Sequence, residues 1–203
     1  MKANFSKRLL AYIIDSLIIF IISFFISFFV PTSNKAISAM DEITETVESY
    51  SNSEINDTEY IDKVNELNYI VTKENVVISI LSIIVTIAYF GAYPYYMNGQ
   101  TVGKKLMHIK ISSIDSSEPT YFMYILRCVI IHGSIFSAIN LIMLFACSYN
   151  AYLKISSIVD YIYIFVLIGS IIIMLYNKNS RGIHDYICKT QVINTKWFLA
   201  WFG

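Results

Sequence analysis

The sequence predicts an all-α polytopic membrane bundle, with four transmembrane helices in two hairpins. Three observations carry that prediction. Hydrophobic residues make up 56% of the 203-residue chain and charged residues only 15%, against roughly 25% charged in ordinary globular proteins. The apolar residues are gathered into blocks too long for a core helix of a soluble domain. The Lys and Arg residues fall on alternate connections between those blocks, as cytoplasmic loops require.

The first block, residues 9–30, contains a single charge, Asp15, and is stopped by Pro31. At a rise of ~1.5 Å per residue it covers roughly the 30 Å of a hydrocarbon core. Residues 1–8 are basic and Ile37-Ser38-Ala39 faintly resembles a cleavage site. A signal sequence is nevertheless not expected, because the apolar run is too long and holds a carboxylate. The second span, 76–97, ends in Tyr89, Tyr93, Tyr95 and Tyr96, rings suited to the interface. The third, 122–146, carries Arg127 near its start and His132 and Asn140 further in. The fourth, 155–176, has Asp160 near its start, and its short separation from the third predicts an antiparallel hairpin.

Eleven basic residues (Lys2, Lys7, Arg8, Lys104, Lys105, Lys110, Arg127, Lys178, Arg181, Lys189 and Lys196) lie on one predicted side, and four (Lys35, Lys63, Lys73 and Lys154) on the other. That asymmetry puts both termini, the 98–121 loop and the 177–203 tail in the cytoplasm. The 31–75 loop holds ten of the fifteen acidic residues and is expected outside as a polar, solvated segment. Within it, Ile55, Tyr60, Val64, Leu67 and Val71 recur near helical spacing, which predicts an amphipathic helix over 57–73.

Net charge is zero, so nothing points to nucleic acid. The expected surroundings are the lipid bilayer and, because four spans are few for a transport path, a second copy or a larger membrane partner. Cys128 and His132 stand one helical turn apart and offer two metal ligands, but no further pair closes a site. No metal or cofactor is expected.

Asp15 is the sharpest chemical signal. A carboxylate inside a span costs about 2.5–3.5 kcal/mol on insertion scales and must find a partner or water. Arg8 lies two turns earlier on the same face, and Tyr12, Ser16, Ser23 and Ser27 extend a polar stripe. Such a stripe either lines a wet crevice or joins helices by hydrogen bonds. Arg127 starts the third span at comparable depth, so it is read either as a buried partner of Asp15 or as a snorkelling side chain. His132 is read as a helix-contact residue or a relay member.

Two cytoplasmic motifs stand out. In the first, Gly99-Gln100-Thr101-Val102-Gly103-Lys104-Lys105-Leu106, the Gly103-Lys104 pair hints at a phosphate loop. That motif, however, needs Gly at position 98 and Ser or Thr at 105, where Asn98 and Lys105 stand. Leu106, Ile109 and Ile111 are expected to lie on the membrane surface, with Lys104, Lys105 and Lys110 at anionic headgroups. In the second, Arg181-Gly182-Ile183-His184-Asp185 followed by Thr190, the His184-Asp185 neighbours lack a nucleophile motif. Asp185 is therefore expected to tie cytoplasmic elements together, and no enzyme activity is expected.

Arg8, Asp15 and Asp185 together resemble the arginine and two aspartates that name the RDD family. The Gly-Gln-Thr-Val-Gly-Lys-Lys-Leu segment ending in Ile-Lys-Ile is similar to that family's loop after the second span, as is the closing Asp-x-x-x-x-Thr-x-Val. The resemblance covers nearly the whole chain apart from 31–75. Lys189 departs from it, standing where the family commonly has Gly. The resemblance implies a bacterial membrane protein with a role in transport, including cation–proton exchange in some members. The competing expectation is an accessory or protective protein that acts through protein contacts.

Overall fold

The computed structural model describes residues 2–115 and 118–195. Lys196 and the rest of the predicted tail to 203 lie outside the described residues. The architecture is helical, with one small two-stranded sheet.

Helix α1 (Phe5–Ser27) begins at Asn4, whose side chain accepts a hydrogen bond from the Lys7 N–H. It contains no Gly or Pro, and beyond Asp15 it shows apolar side chains outward. Phe20 is 68% exposed and Phe29, just past the helix, 86%. An outer face so dominated by exposed apolar side chains belongs in lipid. Of all its residues only Ala11 and Asp15 are buried by protein.

The acidic 31–75 segment is a helical hairpin rather than an open loop. α2 (Asn34–Ser51) starts at a Ser33 cap, and α3 (Asp57–Glu74) at an Asn56 cap with Asp57 and Glu59 in its first turn. These carboxylates sit where the helix dipole favours them. Ala36, Ala39, Thr46 and Leu67 are buried, and Tyr50 stacks on Tyr60 at 4.4 Å. The predicted 57–73 helix is present. α2 was not anticipated, because its buried stripe is made of small residues that raise no hydrophobic signal.

The second span runs through α4 (Val76–Ile87), a π turn (Ala88–Ala92) and α5 (Tyr93–Tyr96). π turns insert one residue and re-aim the side chains that follow. Here the turn carries Tyr89 toward α1 and Phe90 toward His132.

The predicted third span is broken. α7 (Tyr121–Ile131) and α8 (Ser134–Ala146) meet at a 65° bend. Gly133 takes the left-handed conformation there, at φ +65°, which glycine adopts without steric cost. A Cβ at Gly133 would stand 2.8 Å from the Tyr163 ring. The Tyr163 hydroxyl donates to the Ile131 carbonyl at 3.1 Å, one of the acceptors the break sets free.

α9 (Tyr149–Tyr176) starts six residues earlier than predicted, and Cys147 and Ser148 alone separate it from α8. α8 and α9 form the expected hairpin. Three helices (Phe5–Ser27, Val76–Tyr96 and Tyr149–Tyr176) are long and apolar enough to cross a membrane, or four if the bent α7–α8 pair is one span.

After the second span comes α6 (Val102–Leu106), then His108 in the left-handed region, then β1 (Ile109–Ser113). After α9 the same design repeats as α10 (Ile183–Ile187), left-handed Lys189 and β2 (Thr190–Asn194). The strands pair antiparallel, from Ile109 opposite Asn194 to Ser113 opposite Thr190. The chain start joins them, with the Ala3 N–H donating to the Val192 carbonyl at 3.0 Å. Ile109 and Val192 bury against Ala3 and Ala11. Ile109 and Ile111 are thus 0% and 4% exposed rather than laid on a membrane surface. Their period-2 alternation with Lys110 reads equally well as a strand, and pairing with β2 decides it.

Candidate functional site

α6, α10 and the sheet pack around the first turns of α1 and create two buried carboxylate centres. The first is Asp15, 0% exposed. Its Oδ1 accepts from the Tyr89 hydroxyl and from the Gly103 N–H, each at 2.7 Å, and its Oδ2 accepts from the Thr101 hydroxyl. Thr101 is the N-cap of α6, so the carboxylate supplements the cap from a neighbouring helix. This contact requires Gly103, since a Cβ there would meet the Ala11 carbonyl oxygen at 2.3 Å and Asp15 Cγ at 2.9 Å.

Asp15 therefore pairs with neither Arg8 nor Arg127. No described cation lies within 4 Å of it. Its charge is compensated by three short donors, as a desolvated carboxylate needs. Ser27, at the far end of the polar stripe, donates to the Phe24 carbonyl of its own helix. Asp15 lies ten residues into α1, about 15 Å by helical rise. The 98–106 segment reaches that depth and supplies two of the three donors, Tyr89 of the second span the third.

The second centre is Asp185, also 0% exposed. Arg8 Nη2 donates to its Oδ2 at 2.6 Å, and Arg127 Nη1 to its Oδ1. The Gly182 N–H donates to Oδ2 at 3.1 Å, capping α10. Arg127 also donates to the Thr190 hydroxyl at 2.9 Å, and Arg8 to the Ser180 carbonyl. One carboxylate thus joins the start of α1, the middle of α7, α10 and β2. Burial alone would raise the Asp185 carboxyl, but Arg127, His184 and Arg8 outweigh it and hold the group well below the usual carboxylate range. Arg127 is buried rather than snorkelling.

His184 stands with Nδ1 3.1 Å from Ser170 Oγ and Nε2 3.3 Å from Arg8 Nη2 and 3.4 Å from Asp185 Oδ2. Burial, and after it the Arg127 charge, push its pKa down to about 4, so it is neutral at pH 7. Arg181 is less central. It donates to the Asp185 backbone carbonyl at 3.2 Å and lies over the Tyr186 ring at 4.1 Å.

Between the two centres lies a cavity of about 210 Å³. α1 contributes Phe5, Leu9 and Tyr12, and α9 contributes Val166, Leu167 and Ile171. These helices pack chiefly on other elements, α1 on α6 and α4, α9 on α8 and α10. Arg8, Asp15, Lys104, Arg127, His132 and His184 line its polar part. His132 stacks on Phe90 at 3.6 Å and on Tyr12 at 5.6 Å, as a helix-contact residue does. Lys104 Nζ donates to the Thr101 hydroxyl at 3.3 Å. Burial, opposed by Asp15, lowers the Lys104 pKa to about 8.

Of the motif residues, Thr101, Gly103, Lys104, His184, Asp185 and Thr190 meet at the two centres and the cavity between them. Gly99 is held at φ +83° by Pro94 and Ile111, its N–H donating to the Pro94 carbonyl at 2.7 Å and its carbonyl accepting from the Ile111 N–H at 2.9 Å. Two positioning residues escaped the sequence reading. Tyr89 looks like one interfacial tyrosine among several, and Ser170 like a small residue in an apolar helix. The adjacent Gly169-Ser170 in an otherwise bulky run is the signal that marks the second. Cys128 and His132 do not converge, because Cys128 Sγ faces the Thr86 carbonyl at 3.6 Å. Among the described residues no group of three or more His, Cys, Asp or Glu is placed to hold a metal.

Comparison with curated proteins and with solved structures gives no match. The model of the RDD family matches residues 2–189, a range that takes in Arg8, Asp15, Arg127 and Asp185 at the two centres. With three or four apolar helices of spanning length, the chain is a multi-pass membrane protein and belongs to the RDD family.

Proposed function

We propose that this protein is a small transporter-like component of the cytoplasmic membrane, and that its solute site is the cavity between α1 and α9. The observation that supports this is the position of the cavity. It sits among spanning helices, with apolar walls and a polar part made by the signature residues. In this reading the bent α7–α8 pair counts as one crossing, giving four. Arg8 at the start of α1, Thr101 at the start of α6, Arg127 within α7 and Asp185 in α10 converge on the two carboxylate centres, which favours an even, up-and-down path. The Lys and Arg asymmetry orients that end toward the cytoplasm. Self-association or a larger membrane partner completes the pathway.

The reading assigns no catalysis. Ser170, His184 and Asp185 form a hydrogen-bonded series. His184, however, is a weak base with a pKa near 4, and Asp185 is committed to two arginines.

A second reading has one observation in its favour. Asp15 and Asp185 both accept their bonds from within the chain, so the signature residues serve assembly as well as any path. In that reading the protein is an accessory membrane component, and the α2–α3 hairpin is its contact surface. Flux into vesicles holding the purified protein separates the two. Solute movement above protein-free vesicles, under a proton or sodium gradient, supports the transporter. Its absence across cations and small organic acids leaves the accessory role.

A further inference from the structure

The cavity carries one positive charge more than its own carboxylates neutralise. Asp185 is shared between Arg8 and Arg127. Asp15 turns its oxygens to Tyr89, Thr101 and Gly103 and is closed to solvent. Lys104 is left with one hydrogen bond, to the Thr101 hydroxyl, and no carboxylate among the described residues lies within 4 Å of it. An ammonium group has three donors, so two protons of Lys104 remain for a ligand. Three cations against two carboxylates disfavour a metal cation in this space and favour an anion.

We propose that the cavity binds a small organic monoanion, with its carboxylate at Lys104 and its apolar body between α1 and α9. This rests on the reading of the cavity as the solute site and names the class of solute. Leu9, Ile130, Val166, Leu167 and Ile171 supply an apolar wall, and the stacked Tyr12 and His132 rings complete the lining. The volume of about 210 Å³ exceeds the roughly 150 Å³ of an engineered cavity that takes benzene. It suits a single ring or a short branched chain carrying one acid group, and is too small for a whole phospholipid. The Lys104 ammonium is half-buried, and its pKa is lowered by burial against the pull of Asp15.

Calorimetric titration of the full chain in phosphatidylcholine nanodiscs tests this, with benzoate as the probe. Saturable binding is expected, at least ten-fold weaker for benzamide and for inorganic phosphate. Lys104→Met should weaken benzoate by ten-fold or more, Lys104→Arg should retain it, and Leu167→Trp should abolish it by filling the space. Should Lys104→Met fail to yield monodisperse protein, Leu167→Trp and the benzamide comparison decide. Affinity should also fall as pH rises through about 8, where Lys104 loses its proton facing Asp15 and Arg8 on α1 and Arg127, Cys128 and His132 on the α7 side. No saturable binding to folded protein overturns the proposal. So does equal binding of benzamide, or binding undiminished in Leu167→Trp. Nanodiscs containing phosphatidylglycerol should titrate unchanged; displacement of benzoate there would give the site to an acidic lipid and overturn the assignment. Binding without flux would refute transport alone, and flux without benzoate binding would refute the ligand class alone.

Discussion

Arg127 and Asp185 are buried against each other across 58 residues of sequence, and Arg8 completes the pair from the chain start. Breaking a buried pair by removing one partner leaves an uncompensated charge, at about 3–5 kcal/mol. Asp185 has two such partners. Asp185→Ala should therefore be the most damaging single change at the site, measured as loss of folded, monodisperse protein and a lowered unfolding temperature in detergent. Arg127→Met added to Asp185→Ala should recover part of the loss. If the double variant is worse than the single by the full cost of Arg127→Met alone, the two do not act as a pair.

Asp15 should behave differently. Its partners are neutral donors, so Asp15→Asn keeps an acceptor but presents an amide N–H₂ to hydroxyl or backbone donors. The cost expected for one or two unsatisfied buried groups is about 1–3 kcal/mol each. Neutralising Arg127 should not rescue it, because the two are not partnered. A double-mutant cycle by thermal denaturation should give a coupling near zero for Asp15 with Arg127, and a large one for Asp185 with Arg127. A strong Asp15–Arg127 coupling would contradict the geometry.

Lys189 lies in the left-handed region, at φ +49°. A side chain in the left-handed region costs roughly 1–2 kcal/mol, which glycine avoids. Lys189→Gly should therefore be neutral or stabilising by up to about 1 kcal/mol. Lys189→Val should destabilise, because a branched Cβ tolerates that backbone worst. Unfolding temperatures of the two variants check the order.

That position shows how the sequence could and could not be read. The apolar blocks and the helix at 57–73 were legible from run length and period, and Arg8, Asp15 and Asp185 stood out by motif. Which carboxylate met which arginine was not, because helical spacing places Arg8 and Asp15 on one face but says nothing of α10 rising to take Arg8 away. The break at Gly133 was hidden inside a continuous apolar run, where hydropathy is blind to a 65° bend. The strand at Ile109–Ser113 depends on a partner some 80 residues later, and so appeared as a surface amphipath. The repeated helix, left-handed residue and strand after α5 and after α9 leave no repeat in the sequence, because the two copies share conformation and few identities.

His184 gives a pH dependence with a definite sign. Its pKa is about 4 in the folded protein, against an ordinary 6.5, so the unfolded chain binds the proton more readily. Stability from this group is complete above pH 6.5, is lost as pH falls from 6.5 to 4, and is level below that. The loss is about 3 kcal/mol at ~1.4 kcal/mol per unit. The charges facing the ring are Arg8, Arg127 and Asp185, with the Ser170 hydroxyl on the remaining side. Asp185, held well below the usual carboxylate range, stays ionised across this window. His184→Gln should flatten the melting-temperature profile between pH 6.5 and 4. An unchanged slope would move the effect to another group.

Gly103 and Gly169 make an internal comparison of what a methyl group does. At Gly103 a Cβ would meet the Ala11 backbone oxygen at 2.3 Å and Asp15 Cγ at 2.9 Å. Backbone cannot yield as a flexible side-chain tip can, so α6 must withdraw from α1 and Asp15 must lose its Gly103 and Thr101 donors together. Gly103→Ala should thus cost several kcal/mol through unsatisfied polar groups rather than through packing alone. Gly169 lies inside α9, and its added Cβ would touch only Ile183 Cδ1, at an ordinary 3.6 Å. Gly169→Ala should be neutral or stabilising by up to about 1 kcal/mol, the helix-propensity difference. Gly103→Val should be at least as severe as Gly103→Ala, and worse than shortening α2 within 36–51, since that hairpin packs away from both carboxylate centres. Accumulation of folded protein and detergent melting curves rank the variants. If Gly103→Ala melts with the parent, the close approach of α6 to Asp15 is not what holds the first carboxylate in place.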